Sequence, residues 1–396
     1  MPPTPKVSIY LPVYNGAATL TRQLDSIAAQ TFQDWRVFLI DNVSTDGTPA
    51  ICQARAEEDP RFIYLTNDKN RGLAFSLHRG YHLSLGSKYA IYASANDYWA
   101  PEYLEEAVSA LDQDPEAVIA YSHFQLITPD GRLWEVMSDP FDLTDPDPGQ
   151  RYLIVLGQMG LCTPFYGLMR LSAFADCEHI STAWLSAAGD NLCLAAMALL
   201  GKFIQIPKAL FFREAPAVDA SYEARQKRIH TTLSGVKPDR ISLTNQFFLR
   251  HISAHHKVIS NFHPDKRNPA AREALFARTI QIILSRYKGQ IEYDLDELIK
   301  GLCSGSAKLG EFDEAGYGQY RAADVLYMSI AMDILNYAAS LQIKRPGLFA
   351  ALAVVYAVLG RREEALCACE KELSENPINR QALEMRAKLS AVVNKK

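Results

Sequence analysis

Strand-like runs at 7–11, 36–40, 62–65, 89–93 and 118–121 alternate with amphipathic helical patterns at 18–30, 49–58, 73–85 and 102–111. Such strand-helix-strand alternation implies a mainly parallel sheet covered by helices on both faces, because each helix returns the chain to the same end of the sheet. The punctuation agrees. Leu20, Leu24, Ile27 and Ala28 share one face of the first helical pattern, and Thr48-Pro49 and Ala100-Pro101 place a proline in the first turn of the helices they open.

After Tyr121 the rhythm changes. The runs 124–128 and 133–136 flank a Pro129-Asp130-Gly131 turn and read as a hairpin, and 138–149, rich in Asp and Pro, reads as a loop. A strand at 165–171, a helix at 190–200 and two short strands at 203–206 and 210–213 complete an α/β domain over residues 1–214. Residues 215–240 are expected to form a linker or irregular segment, followed by an all-α domain over 241–396. Its end fits the tetratricopeptide template at Phe349, Leu352, Ala353, Tyr356, Gly360, Ala365 and Pro377. An echo of Leu359–Ala365 at Leu309–Ala315 is offset by 50 residues rather than about 34, so one unit is expected and not an array.

Composition excludes several classes. A net charge of -4 supplies no basic stripe for nucleic acid. The longest apolar run, 348–359, falls short of the roughly 20 residues that span a bilayer, and the N-terminus lacks a secretory pattern. A cytoplasmic protein without a transmembrane segment is expected, with peripheral membrane attachment left open. Seven cysteines without a CxxC pair argue against a disulfide frame and a zinc site. The helically spaced His251, His255 and His256 read as a packed or solvated face, and Arg361–Glu364 as the polar turn between paired helices.

In open α/β sheets ligands bind beyond the carboxyl ends of the strands. Neither GxGxxG nor GxxxxGK[ST] follows the first strand, so a nucleotide would be held another way, which also weighs against a nucleotidyltransferase. Those ends read Pro12-Val13-Tyr14-Asn15, Asp41-Asn42-Val43-Ser44-Thr45-Asp46-Gly47-Thr48, Asn70-Arg71-Gly72 and Ser94-Ala95-Asn96-Asp97. An aromatic face with a carboxylate can select a uracil-like edge, and an arginine fork matches phosphate oxygens.

Taken together and in this order, the four segments resemble a family-2 glycosyltransferase of the GT-A fold, a mixed sheet that binds nucleotide-diphosphate sugars. The resemblance implies donor binding by Pro12, Tyr14, Asn15, Asp41, Arg71, Asn96 and Asp97: Tyr14 stacks on the base, Asp41 accepts a hydrogen bond from it, and Arg71 approaches the base or diphosphate. It further implies transfer from a UDP-linked donor with inversion, with Asp190 at the start of a helix as general base. Each has a plainer alternative: Tyr14 as a packed turn residue, Asp41 and Asp46 as caps, Asp97 as cap of the helix at Pro101, and Asp190 as cap of 191–200.

The family's two acidic metal positions fall here on Ser94 and Asn96, leaving Asp97 as the carboxylate. Magnesium or manganese prefers anionic oxygen, so Asp97, Asn96 and the donor's diphosphate would have to suffice, or transfer proceeds without a cation. The acceptor is a glycan, a lipid-linked sugar or a protein, and the helical domain offers a surface for a protein partner. A non-catalytic nucleotide-sugar-binding or scaffold protein is the alternative reading.

Overall fold

In the computed structural model the N-terminal elements run β1 (Val7–Val13), α1 (Leu20–Ala28), β2 (Trp35–Asp41), α2 (Thr48–Glu58), β3 (Phe62–Thr66), α3 (Gly72–Ser84), β4 (Tyr89–Tyr92), β5 (Tyr98–Trp99), α4 (Tyr103–Gln113), β6 (Ala117–Ile127), β7 (Leu133–Met137), α5 (Pro148–Gln158), β8 (Leu168–Arg170), α6 (Leu171–Phe174), α7 (Gly189–Leu200) and β9 (Lys202–Glu214). The structure describes residues 4–128, 132–139, 142–159, 162–174, 189–214, 247–265, 268–286 and 347–393, with a few positions between 299 and 339. Contacts divide the chain into two compact units, residues 1–241 with 258–272 and residues 242–257 with 273–396.

The first unit is built on one sheet of order β3-β2-β1-β4-β8-β6-β9-β5, with β7 added to β6. β1, β2, β3 and β4 are parallel, as are β6 and β9, but β8, β5 and β7 pair antiparallel. The sheet is therefore mixed, and the expectation of a mainly parallel one holds only within those two groups. Strands of β1 and β2 bury alternate residues against α1: Ile9, Leu11, Val37 and Leu39 share a core with Leu20, Leu24 and Ile27. Each such aliphatic side chain contributes about 1.5–3 kcal/mol on leaving water.

Three sequence expectations are corrected here. The presumed loop over 138–149 gives way to helix α5 at Pro148, where the Asp147 carboxylate accepts from the Gly149 N–H and proline occupies the first turn. The run 165–171 is not one strand: a 3-10 turn, Thr163–Tyr166, precedes the short β8. Cys162 opens that turn in the left-handed region (φ 50°), and Gly167 passes so close to β6 that an added Cβ would lie 2.8 Å from the Ala120 carbonyl. Finally, 203–206 and 210–213 are a single strand, β9. Its pairing with β6 jumps from Ser122↔Ile206 to His123↔Ala209, so Pro207 and Lys208 are absorbed as a bulge.

The hairpin expected at 124–136 is seen in the antiparallel β6–β7 pair, whereas its turn residues 129–131 and the expected linker 215–240 lie outside the described residues.

After the sheet come α8 (Phe247–Phe262) and α9 (Pro269–Arg286), of which 258–262 and 269–272 belong to the first unit, and then, in the second unit, α10 (Leu348–Val358), α11 (Arg362–Glu375) and α12 (Arg380–Val393). Gly360, at φ 74°, turns the chain between α10 and α11, where the Arg361 guanidinium donates twice to Glu364 Oε1, at 2.9 and 2.7 Å. The expected polar turn Arg361–Glu364 is thus only in part a turn: Arg361 precedes α11, and Arg362–Glu364 form its polar first turn. The Glu372 carboxylate accepts from the Ala350 N–H and the Asn379 side chain, pinning the helices together. His255 is buried and the His256 ring meets Phe276 edge-on at 4.8 Å. Among the described residues no helix is long and apolar enough to cross a membrane.

Candidate active site

The chain winds from β1 outward through β2 to β3, then returns to place β4 on the other side of β1. Such a reversal opens a crevice at the carboxyl edge, between the ends of β1 and β4. Tyr14 and Asn15 end one lip, and Ser94–Asp97 the other. The lips abut, since a Cβ added at Gly16 would lie 3.4 Å from the Ala95 Cβ.

On the first lip, Pro12 belongs to β1. Tyr10 already turns its carbonyl toward β4, accepting from the Ala93 N–H, and Pro12, two residues on, faces that same side where β4 has ended. Its missing N–H therefore disrupts no ladder. Tyr14 is 51% exposed, not a packed turn residue. Asn15 adopts φ 51° and ties the lip to the β2–α2 loop: its N–H donates to Ser44 Oγ at 2.9 Å and its Oδ1 accepts from the Thr45 N–H at 2.8 Å. Asp46 accepts from the N–H groups of Ala17 and Thr48, which is a structural role.

Asp41 ends β2 opposite Val13 and is 1% exposed. Its carboxylate accepts from the Ser44 N–H at 3.0 Å and the Tyr64 hydroxyl at 3.1 Å. Arg71, by contrast, turns to Asp68, with two bonds of 2.7 Å, and covers the Phe75 ring. A phosphate role for Arg71 requires that pair to open. The Asn70–Gly72 loop is held by its amides instead, for Asn42 Oδ1 accepts from Asn67 Nδ2 and the Arg71 N–H while its Nδ2 donates to Asn70.

The second lip is clamped by α1. Arg22 and Ser26, spaced by four, share one face of α1, and Gln30 continues the spacing just past its C-terminal end. Arg22 donates to the Asn96 carbonyl at 2.8 Å, Ser26 Oγ accepts from the Trp99 N–H, and Gln30 donates to the Ala100 carbonyl and accepts from the Leu104 N–H. Within the lip, the Ser94 hydroxyl donates to Asn96 Oδ1.

Asp97 is 3% exposed and does not cap the helix that follows Pro101; its Oδ1 accepts from the Glu214 N–H at 2.9 Å. Burial pushes its carboxyl up to about 6, against the Glu214 N–H bond and the Arg213 charge, which favour the anion. Arg213 lies over the Tyr166 ring, 4.7 Å from its centroid, with Nη2 3.5 Å from the hydroxyl. The Tyr166 phenol is itself pushed up to about 12 by burial, with the charges of Asp97 and Asp190 adding to the rise and Arg213 opposing it. Asp190, exposed in the first turn of α7, accepts from the Asn191 N–H at 2.8 Å; as the second helical residue, bonded to its immediate neighbour, it is not the N-cap expected of it. Asp97, Arg213, Tyr166 and Asp190 thus form one electrostatic neighbourhood. Arg213 and Tyr166 are not among the site residues expected from the sequence, although both fall on the runs expected as strands, 165–171 and 210–213.

As cation ligands the second lip offers only oxygens: Asn96 Oδ1, the Ser94 hydroxyl and the Asp97 carboxylate, a set suited to a hard divalent ion that is also held by phosphate. Among the described residues no group of three or more His, Cys, Asp or Glu could hold a metal by itself.

Residues 8–177 match the model of Glycosyl transferase family 2. This segment is a family-2 glycosyltransferase domain. The glycosyltransferase domain is 32% identical over 124 residues to EpsE of Bacillus subtilis (strain 168), named as a glycosyltransferase, covering 31% of this chain and 42% of that protein. TuaG of the same organism, named for teichuronic acid biosynthesis, is 24% identical over 212 residues, covering 52% of this chain and 83% of TuaG. The fold is shared with S. aureus TarS residues 1–349, at a TM-score of 0.55 and 14% identity over 94% of this chain and 92% of that one. The same TarS segment was solved in complex with UDP-GlcNAc, and there the TM-score is 0.50 at 14% identity over 94% and 92% of the two chains. The GT-A architecture is therefore that of this glycosyltransferase domain.

Proposed function

We propose that the protein transfers a sugar from a UDP-linked donor to an acceptor hydroxyl with inversion. The observation that carries this reading is the Arg213 guanidinium lying over the Tyr166 ring, 4.7 Å from its centroid, next in sequence to Glu214, whose N–H donates to Asp97 Oδ1 at 2.9 Å: a cation and a carboxylate stand together beyond the end of β4. The family match and the UDP-sugar complex of the TarS segment support it.

Tyr14 presents an open ring for the base, and Asp41, at the end of the neighbouring strand, keeps lone-pair capacity to accept a base N–H beyond its two bonds. The Arg213 guanidinium counters the diphosphate charge that grows as the glycosidic C–O bond breaks. A divalent cation, if held by Asp97 and Asn96, would supply Lewis-acid stabilisation of that leaving group. Asp190 takes the proton of the acceptor hydroxyl as its oxygen attacks the anomeric carbon from the opposite face; the new C–O bond forms as UDP departs, and the carboxyl ends protonated. Asp190 suits the task because its side chain is open to solvent at a helix start.

Calorimetric titration of the full chain with UDP and with GDP tests the donor assignment. UDP is expected to bind at least tenfold tighter; equal affinities, or none, would overturn it.

A further inference from the structure

The C-terminal half of α3 carries two histidines about one turn apart, His78, which is half-buried, and His82, which is exposed. A spacing of four puts both on one face of a helix. Their Nε2 atoms lie 3.0 Å apart, with ring centroids at 4.3 Å and ring planes inclined by 59°, so the two ε nitrogens converge and the rings do not stack.

The helix that presents them is firmly seated. Ala74, Leu77, Tyr81 and Ser84 are buried along the neighbouring face, and at Gly80 an added Cβ would lie 2.6 Å from the Tyr10 Cβ, so the backbone runs directly against β1. Tyr81 also meets the His82 ring edge-on, with centroids 5.4 Å apart. The arginines on either side in sequence are engaged elsewhere: Arg79 donates to the Thr66 carbonyl and Asn67 Oδ1, and Arg71 to Asp68.

Imidazole nitrogen binds a transition ion at about 2.0–2.1 Å, and two nitrogens 3.0 Å apart on such bonds subtend roughly 95° at the ion. That bite is narrower than the tetrahedral angle and close to the right angle of a tetragonal shell, which suits Cu2+ and Ni2+ before Zn2+. In the free chain one ring donates to the other. When an ion binds, the shared proton moves through solvent to a δ nitrogen and both ε lone pairs turn to the metal. Among the described residues no third His, Cys, Asp or Glu completes the group, so water is the expected occupant of the remaining positions. The oxygen donors of Ser94–Asp97 call for a harder ion, so the two places differ in the metal they select.

We propose that His78 and His82 form a surface site for a divalent transition ion of the copper or nickel class, which staples the last turns of α3 ahead of β4. Roughly 15 Å of helix separates His82 from Gly72 at the donor-side loop, so the site is distinct from the crevice. Calorimetric titration of the untagged full chain, first stripped with chelator, uses nickel chloride as the probe, because copper also oxidises thiols and Cys367 is exposed. The wild type is expected to bind nickel in the presence of excess magnesium and to melt at a higher temperature with it. His78→Ala and His82→Ala, melting like the wild type without metal, are each expected to bind that nickel at least about tenfold more weakly and to lose the rise in melting temperature. Two variants are used so that a misfolded one leaves the other decisive. The proposal is overturned if the wild type binds no nickel, if excess magnesium displaces it, or if a folded variant binds nickel as the wild type does.

Discussion

The Asp97 carboxylate accepts a hydrogen bond from the Glu214 N–H at 2.9 Å, joining the turn after β4 to the last residue of β9 across 117 positions of sequence. Burial at that junction lifts the carboxyl from 3.8 to about 6. Because the folded-state value is the higher one, the folded protein binds more protons between about pH 4 and 6, and stability from this group is lost as pH rises through that window, by roughly 3 kcal/mol at most. Asp97→Asn keeps an oxygen for Glu214 and removes the titration. Thermal denaturation from pH 4 to 8 is expected to show the variant more stable than wild type near neutrality, with the gap closing toward pH 4, while sugar transfer falls at least about 100-fold. Asp139 titrates in the same direction, so part of the slope persists.

Gln30 is 1% exposed and spends its amide on two backbone groups of the second lip, Ala100 and Leu104. Gln30→Leu strands both. A loss of about 2–4 kcal/mol in urea unfolding is expected, together with weaker donor binding, because the Asn96–Asp97 turn loses part of its clamp. Unchanged stability would mean that Gln30 does not hold this lip.

Tyr14 contributes nothing to the core, so its replacement separates binding from folding. Tyr14→Ala is expected to weaken UDP by about 1–3 kcal/mol, the scale of base stacking on an aromatic ring, with the melting temperature unmoved. Tyr14→Phe retains the affinity. Calorimetry on the three proteins decides it.

Cation use is testable on the same footing. Turnover is expected to fall on chelation and to recover with magnesium or manganese, and in Asp97→Asn the residual activity should no longer respond to either. Chelator-insensitive turnover would assign Asp97 to the fold and to phosphate positioning alone.

Much of this architecture is legible in the sequence because it is local. The alternation from Val7 to Tyr121 follows from periodicity, and Tyr14, Asp41 and Asp97 stand at strand ends where a crevice is expected. What escaped is either disguised or remote. Asp147-Pro148-Gly149 has turn composition yet serves as a cap and first turn of α5. Pro207 reads as a strand break, but the bulge opposite Ser122 and His123 carries β9 through. Arg213 reaches Asp97 and Tyr166 only because β9 ends beside the β4 turn, a neighbourhood no spacing encodes. The face Arg22, Ser26, Gln30 was readable as a polar stripe at helical spacing; its meaning depended on which loop the stripe would meet.

In the proposed transfer, Asp190 removes the acceptor proton. Asp190→Asn keeps an oxygen able to accept from the Asn191 N–H, so folding and UDP binding should survive. The most direct measurement is UDP release from a panel of UDP-sugars, with and without saccharide acceptors, by wild type and Asp190→Asn alongside UDP affinity. Acceptor-stimulated release by the wild type that drops about 100–10,000-fold in the variant at unchanged affinity is the expected result. Tight UDP-sugar binding with no turnover by the wild type, or equal turnover by both proteins, would contradict it.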